Sequence, residues 1–213
     1  MANNNVYNED IRIIENAIDF ATAATGTDTT NLKNFLVNTA GAETTYGMNI
    51  ANINDEGYPN TITSYNISPS SYYNFFKKGS TGEMSKTLSN INTSFKNMGY
   101  GENFDIKDIA TVDFDEQTQQ YKYSNIDKKL INDPYVSTTL TKSIIDSINK
   151  PIPDDINEQA TFWKENWNTG GNTDTFVNTH AEYRQNTDVE DHVMDMLHDQ
   201  DADLFKITPG DLV

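Results

Sequence analysis

Glu43 stands where a helical stretch runs out, in Ala40-Gly41-Ala42-Glu43-Thr44-Thr45-Tyr46-Gly47. A carboxyl group in that position faces the negative end of the helix macrodipole, which disfavours a further negative charge. Partial burial among Tyr46, Tyr65 and Trp167 would push the same way, because a charge that leaves water is penalised. The expectation is a carboxylic acid that keeps its proton near neutral pH, the group needed to protonate a poor leaving group. Taken alone, a glutamate at a helix end is an ordinary solvated carboxylate, so the surrounding pattern has to carry the case.

Other chemistries find less support. Asn52, Asn54, Glu56 and Gly57 faintly echo a calcium loop, but Thr63 stands where the bidentate glutamate belongs. His180, His192 and His198 lack the H-E-x-x-H spacing of a zinc site, and there is no cysteine to supply thiolate ligands or disulfides. No metal and no cofactor is expected, since P-loop, dinucleotide fingerprint and G-x-S-x-G are all missing.

The elements that must position Glu43 are mostly helical. Ile11, Ile14, Ile18 and Ala21 recur at helical spacing over Asn8 to Ala23, with Gly26 as the stop. Thr29 or Thr30 can cap a second helix whose inner face carries Leu32, Phe35, Leu36 and Thr39, and this helix delivers Glu43. From Met48 to Asn66, Gly57, Pro59 and alternating residues predict a loop with short strands. Pro69 opens a helix containing Tyr72, Tyr73, Phe75 and Phe76, and Leu88, Ile91 and Phe95 mark another that Gly99 and Gly101 close. The acidic stretch 102–123 reads as an irregular insertion. Residues 124–148 read as helical with a break at Asp133-Pro134, followed by helices near 156–167 and 172–185. The fold class is mainly α, an α+β helical bundle around the glutamate helix with a small β-hairpin element beside a cleft. The organisation is an N-terminal arm at 1–7, a domain at 8–185 and an acidic C-terminal appendage at 186–213.

The chain has 213 residues and a formal charge of −17, from 32 acidic against 15 basic side chains. Such a surface repels phosphates, so nucleic acid is not an expected partner. No apolar run approaches the roughly 18 residues of a membrane helix, so no membrane span is expected.

Several motifs resemble the lytic transglycosylase and goose-type lysozyme superfamily. The segment Ala40 to Gly47 resembles its catalytic-glutamate motif, in which a glutamate ends a helix ahead of a short polar stretch. Ser64-Tyr65-Asn66-Ile67-Ser68-Pro69 is similar to the G-x-x-Q-x-x-P segment that follows about twenty residues later in that superfamily, and Trp167-Asn168-Thr169-Gly170 to its Tyr-Asn-x-Gly element. Leu130-Ile131-Asn132-Asp133-Pro134, Ile152-Pro153, Glu158-Gln159-Ala160 and Phe162-Trp163-Lys164 are similar in order and spacing to phage lysozyme-like proteins. The likeness spans roughly residues 8 to 183. Two positions depart: Asn66 stands for the usual glutamine, and Trp167 for a tyrosine whose hydroxyl approaches the glutamate in relatives. Trp carries only an N–H donor and cannot reproduce that contact unchanged.

The resemblance implies a peptidoglycan-cleaving domain with Glu43 as catalytic acid and the glycan strand as partner. Most glycosidases pair two carboxylates, and Asp55 and Glu56, in the stretch that walls the groove in relatives, are the candidates for a second. In the transglycosylases the substrate's own N-acetyl group assists instead, leaving a 1,6-anhydro sugar, and the residues do not choose between the two. Tyr46, Tyr65, Tyr72, Tyr135, Trp163 and Trp167 are candidate sugar-stacking faces, with Asn66 and Asn168 as hydrogen-bonding groups; core packing is an equal reading for Trp163. The implied settings are a virion protein acting in the host periplasm, docked to other virion proteins by the C-terminal segment, or an endolysin in the host cytoplasm. The alternative is a structural protein that keeps the fold without the activity.

Overall fold

A computed structural model describes residues 4–26, 31–44, 63–78 and 83–185. Helix α1 spans Asn4–Thr25, α2 Leu32–Thr44, α3 Pro69–Lys78 and α4 Glu83–Asn97. A 3₁₀ turn at Ile106–Ile109 leads into strands β1 (Ala110–Asp115) and β2 (Gln120–Ile126). Helices α5 (Lys128–Ile131), α6 (Pro134–Ile148) and α7 (Ile156–Asn166) follow, and a last helix, α8, covers 173–185. The fold is therefore mainly α with a small antiparallel hairpin, as the periodicity predicts.

Local chemistry sets many of the boundaries. Asp127, Asp133 and Asp155 each turn a carboxylate back onto two backbone N–H groups of α5, α6 and α7, satisfying donors that have no partner inside the helix. Pro134 at the first position of α6 loses no hydrogen bond there. Gly26 ends α1 at φ 74°, a conformation that costs a side-chain-bearing residue strain. Helix α1 starts at Asn4, so it takes in part of the stretch expected to be an arm.

Two apolar clusters share the interior. The first joins Ile11, Ile14 and Ile18 of α1 to Leu32, Phe35 and Leu36 of α2, and to Phe162 and Trp163 of α7 and Phe176 of α8. The second gathers Phe75, Ile91, Phe95, Ile109 and Tyr123 around Val136, Leu140 and Ile144 of α6. Because α6 also puts Ile145 into the first cluster, it is buried continuously from Val136 to Ile145. A helix enclosed on every side has to find protein partners for its polar groups, though the Thr139 and Thr141 hydroxyls are left without one. Ser143 donates to the Thr139 carbonyl at 2.7 Å, and the fully buried Lys142 ammonium meets Asp146 at 2.8 Å.

The segment 102–123 corrects the sequence reading. Instead of an irregular insertion it forms the 3₁₀ turn and most of the hairpin, and 124–126 complete β2 where helix was expected. The strands pair antiparallel from Ala110 opposite Ile126 to Asp115 opposite Gln120, with a bulge between Thr111 and Val112. The acidic residues conceal an alternation: Ala110 and Tyr123 are buried, whereas Thr111, Asp113 and Asn125 point to solvent. Asp115 closes the turn by accepting from the Gln117 and Thr118 amides. The hairpin was expected within 48–66. Of that stretch only 63–66 are described, and they form a turn.

Candidate active site

Glu43 is the penultimate residue of α2, and the turn 63–66 is tied directly to it. The Thr44 hydroxyl donates to the Ser64 carbonyl at 2.6 Å. Asn66 lies in the left-handed region at φ 52°, where asparagine is among the few residues tolerated without large strain. From there its amide nitrogen donates to the Glu43 backbone carbonyl at 3.0 Å and to Oε2 at 3.1 Å. One side chain thus satisfies a carbonyl left open at the helix end and touches the acid. The short asparagine amide suits a left-handed backbone close against the helix terminus.

The opposite wall comes from α7 and the turn beyond it. Trp163, only 1% exposed, donates its indole N–H to Glu43 Oε1 at 2.9 Å. Asn168 bridges both carboxyl oxygens from its amide nitrogen, at 3.1 and 3.2 Å. Its own backbone N–H bonds the Trp163 carbonyl at 2.9 Å, and the Gly171 N–H returns to the Asn168 carbonyl at 2.9 Å. Gly171 lies against the indole, so that a Cβ built there would collide with Trp163, 2.6 Å from Cζ3. Gly171→Ala is therefore expected to cost about 1–3 kcal/mol of stability through overpacking. Thermal denaturation checks this, and a melting temperature equal to wild type would show that the ring has room to move.

Burial pushes the Glu43 carboxyl above its ordinary value of 4.5, and the bonds from Asn66, Asn168 and Trp163 pull it partly back. All three partners are neutral, so no ion pair decides its charge. The opposing effects suit an acid that holds a proton at rest and must then accept a negative charge. Desolvation favours the neutral form, while fixed N–H dipoles stabilise the anion left once the proton has gone.

Several expected neighbours lie elsewhere. The Trp167 indole N–H does not bond the carboxylate but donates to the Tyr65 carbonyl at 3.0 Å, and it is Trp163, one turn earlier, whose N–H bonds Glu43. Tyr65 is wholly buried with its hydroxyl on Thr138 Oγ1 at 3.1 Å, so it offers no face to a sugar. Tyr72 is likewise core, donating to the Lys107 carbonyl at 2.7 Å. Tyr135 packs edge-on against Phe20, with ring centroids 5.7 Å apart. Tyr46, Asp55 and Glu56 lie outside the described residues. Among the described residues, no group of three or more His, Asp or Glu side chains is placed to hold a metal ion. No helix among them is long and apolar enough to cross a membrane.

What the sequence reasoning missed was the direction of the Trp163 N–H. Two tryptophans four residues apart can share a helical face, and the pattern alone does not say which indole turns toward α2. Gly171 leaves room for the ring, and that becomes visible only when the turn is folded against it. A scan against protein-family models and searches of curated proteins and of solved structures return no match to this chain.

Proposed function

We propose that this chain cleaves the glycan strand of bacterial peptidoglycan, at the β-1,4 bond between N-acetylmuramic acid and N-acetylglucosamine, in a lysozyme-like domain of bacteriophage type. The observation that carries this reading is the partly buried Glu43 carboxyl at the end of α2, met by N–H donors from Asn66, Trp163 and Asn168. Cleavage needs a proton delivered to the glycosidic oxygen as the bond breaks. Glu43 supplies that proton, and the converging donors stabilise the carboxylate it becomes. Asp55 and Glu56 remain the candidates for activating water in a hydrolase; a transglycosylase uses the substrate's N-acetyl group. The test is to incubate purified peptidoglycan with the protein and weigh the released fragments by mass spectrometry. Anhydro ends identify a lytic transglycosylase and reducing ends a muramidase, whereas unaltered sacculi would refute the reading.

The bonds that activate Glu43 also make it a strut between α2, the 63–66 turn and α7, which favours one second reading: a virion protein that keeps the fold as a scaffold. That reading requires intact sacculi under every condition. For the enzyme, the acidic segment after residue 185 favours a virion component docked to other virion proteins and acting in the host periplasm. Detecting the chain in purified particles supports this deployment, and its absence from them points to an endolysin.

A definite pH dependence follows. The acid works only while protonated, so the rate is expected to fall as pH rises through the raised Glu43 value. Stability moves in the same direction. A carboxyl whose pKa is raised by folding contributes stability that is complete below its unfolded value and lost as pH rises through the folded one. Glu43→Gln has no such dependence, so the wild-type melting temperature should decline relative to that variant above pH 4.5. Parallel melting curves across pH would contradict a raised value.

A further inference from the structure

The carboxyl oxygens of Glu43 are not equivalent. Oε1 accepts from the Trp163 indole at 2.9 Å, and Oε2 from the Asn66 amide at 3.1 Å. An indole nitrogen can donate but never accept. Buried as it is, the Trp163 N–H would be orphaned if Oε1 ceased to accept, a cost that buried donors rarely bear. Asn66 is under no such constraint, because its amide nitrogen keeps the Glu43 backbone carbonyl at 3.0 Å whatever happens at Oε2. Asn168 spans both oxygens and can turn its amide to present nitrogen or oxygen.

We propose that Trp163 is a positioning residue that holds Oε1 as the accepting oxygen in both charge states, so that Oε2 carries the transferable proton and gives it up. The step moves one proton from Oε2 to the glycosidic oxygen as that oxygen's bond to the anomeric carbon breaks, and the bonding pair stays on the leaving oxygen. Water or the substrate's own N-acetyl oxygen bonds the anomeric carbon, and Glu43 is left a carboxylate that Trp163, Asn66 and Asn168 bond. Gly171 is part of the device, since a side chain there would press on the edge of the indole ring. The catalytic half of this inference rests on the peptidoglycan-cleaving reading; the coupling of the indole to the carboxyl does not.

Among the described residues, the charged side chains of the elements packed around the pair are bound elsewhere or face solvent, and the His180 ring of α8, one turn beyond the Phe176 that packs on the indole, is bonded through Nδ1 to the Asn38 amide at 3.1 Å. Lys33 of α2 is bound to Glu15 at 3.2 Å, and Glu158, Lys164 and Glu165 of α7 face solvent. The 63–66 turn and residues 167–171 carry no charged group, and the Tyr65 hydroxyl is turned to Thr138. A pH response at the Trp163 N–H that vanishes in Glu43→Gln reports Glu43.

The chain has two tryptophans, and the second serves as an internal control, because the Trp167 N–H bonds a backbone carbonyl that does not titrate. Two indole N–H signals are expected in a ¹⁵N-correlated NMR spectrum, assigned by losing one in Trp167→Phe. The Trp163 signal should shift with pH above 4.5 yet stay in its hydrogen-bonded range throughout, while that of Trp167 stays still. In Glu43→Gln the shift should vanish. Trp163→Phe, which keeps a ring without the donor, should move the falling limb of the rate profile up by about one pH unit and lower kcat more than KM changes. A Trp163 signal indifferent to pH, or one that takes on solvent-exposed character at low pH, overturns the proposal. A responsive indole in a protein that leaves peptidoglycan intact upholds the coupling and sinks only the enzymatic reading.

Discussion

Glu43→Gln is expected to lose about a thousandfold of the rate of glycan cleavage, the middle of the range for removing a general acid, while the protein remains folded. Glutamine matches glutamate in shape and keeps one acceptor oxygen, so the Trp163 N–H still finds a partner. It cannot release a proton to a leaving oxygen. Its second terminal atom becomes a donor facing the Asn66 and Asn168 amides, of which Asn168 is free to turn its oxygen toward it. Glutamine is neutral, as the protonated acid is, so folding should suffer little where Glu43 holds its proton. Product release from purified peptidoglycan, with a melting curve on the same sample, separates lost chemistry from lost structure. A variant retaining more than about a tenth of the wild-type rate would remove Glu43 from the acid's role.

Phe35→Ala is expected to cost about 3–5 kcal/mol of folding stability, the range for deleting a wholly buried aromatic side chain. Phe35 is 0% exposed, meets Phe162 of α7 edge-on at 5.4 Å and lies 5.7 Å from Phe176 of α8. It therefore packs between the helix that carries Glu43 and the one that carries Trp163. Since domains are stable by only about 5–15 kcal/mol, a loss of this size should be plain in the midpoint of urea denaturation. The vacated volume also lets α2 and α7 shift, so residual folded protein should cleave glycan poorly. A midpoint unchanged within error would mean that α2 is held by something other than this cluster.

The helices were legible because their apolar residues recur at helical spacing and their ends carry the residues those ends require. Asp133-Pro134 and Pro69 show this, with carboxylate caps or proline at first turns. The hairpin was hidden because its strands carry aspartates on the exposed face, which reads as charge rather than alternation until the bulge at Thr111 is allowed for. At the site, Glu43, Asn66 and Asn168 were legible as residues whose types and spacing belong together, and both amides bond the Glu43 carboxyl, Asn66 from the 63–66 turn and Asn168 from the turn after α7. Tyr65 lies in the core, because an aromatic side chain fits a core as readily as a groove, and the Trp167 N–H turns to the Tyr65 carbonyl. Spacing along the chain does not reveal which way a ring turns. Trp163 is decided by long-range packing, the meeting of α7 with the end of α2 and the tight turn at Gly171, and no local signal encodes it.

The central claim is that Glu43 is kept as a neutral acid until it acts. A ¹³C NMR titration of its side-chain carboxyl in the unliganded protein tests this directly, with Glu43→Gln identifying the resonance. A midpoint above 4.5 is expected, raised by burial against the pull of the donors from Asn66, Asn168 and Trp163. A midpoint at or below 4.5 would contradict it, leaving Glu43 an anion stored at a helix end with no proton to give.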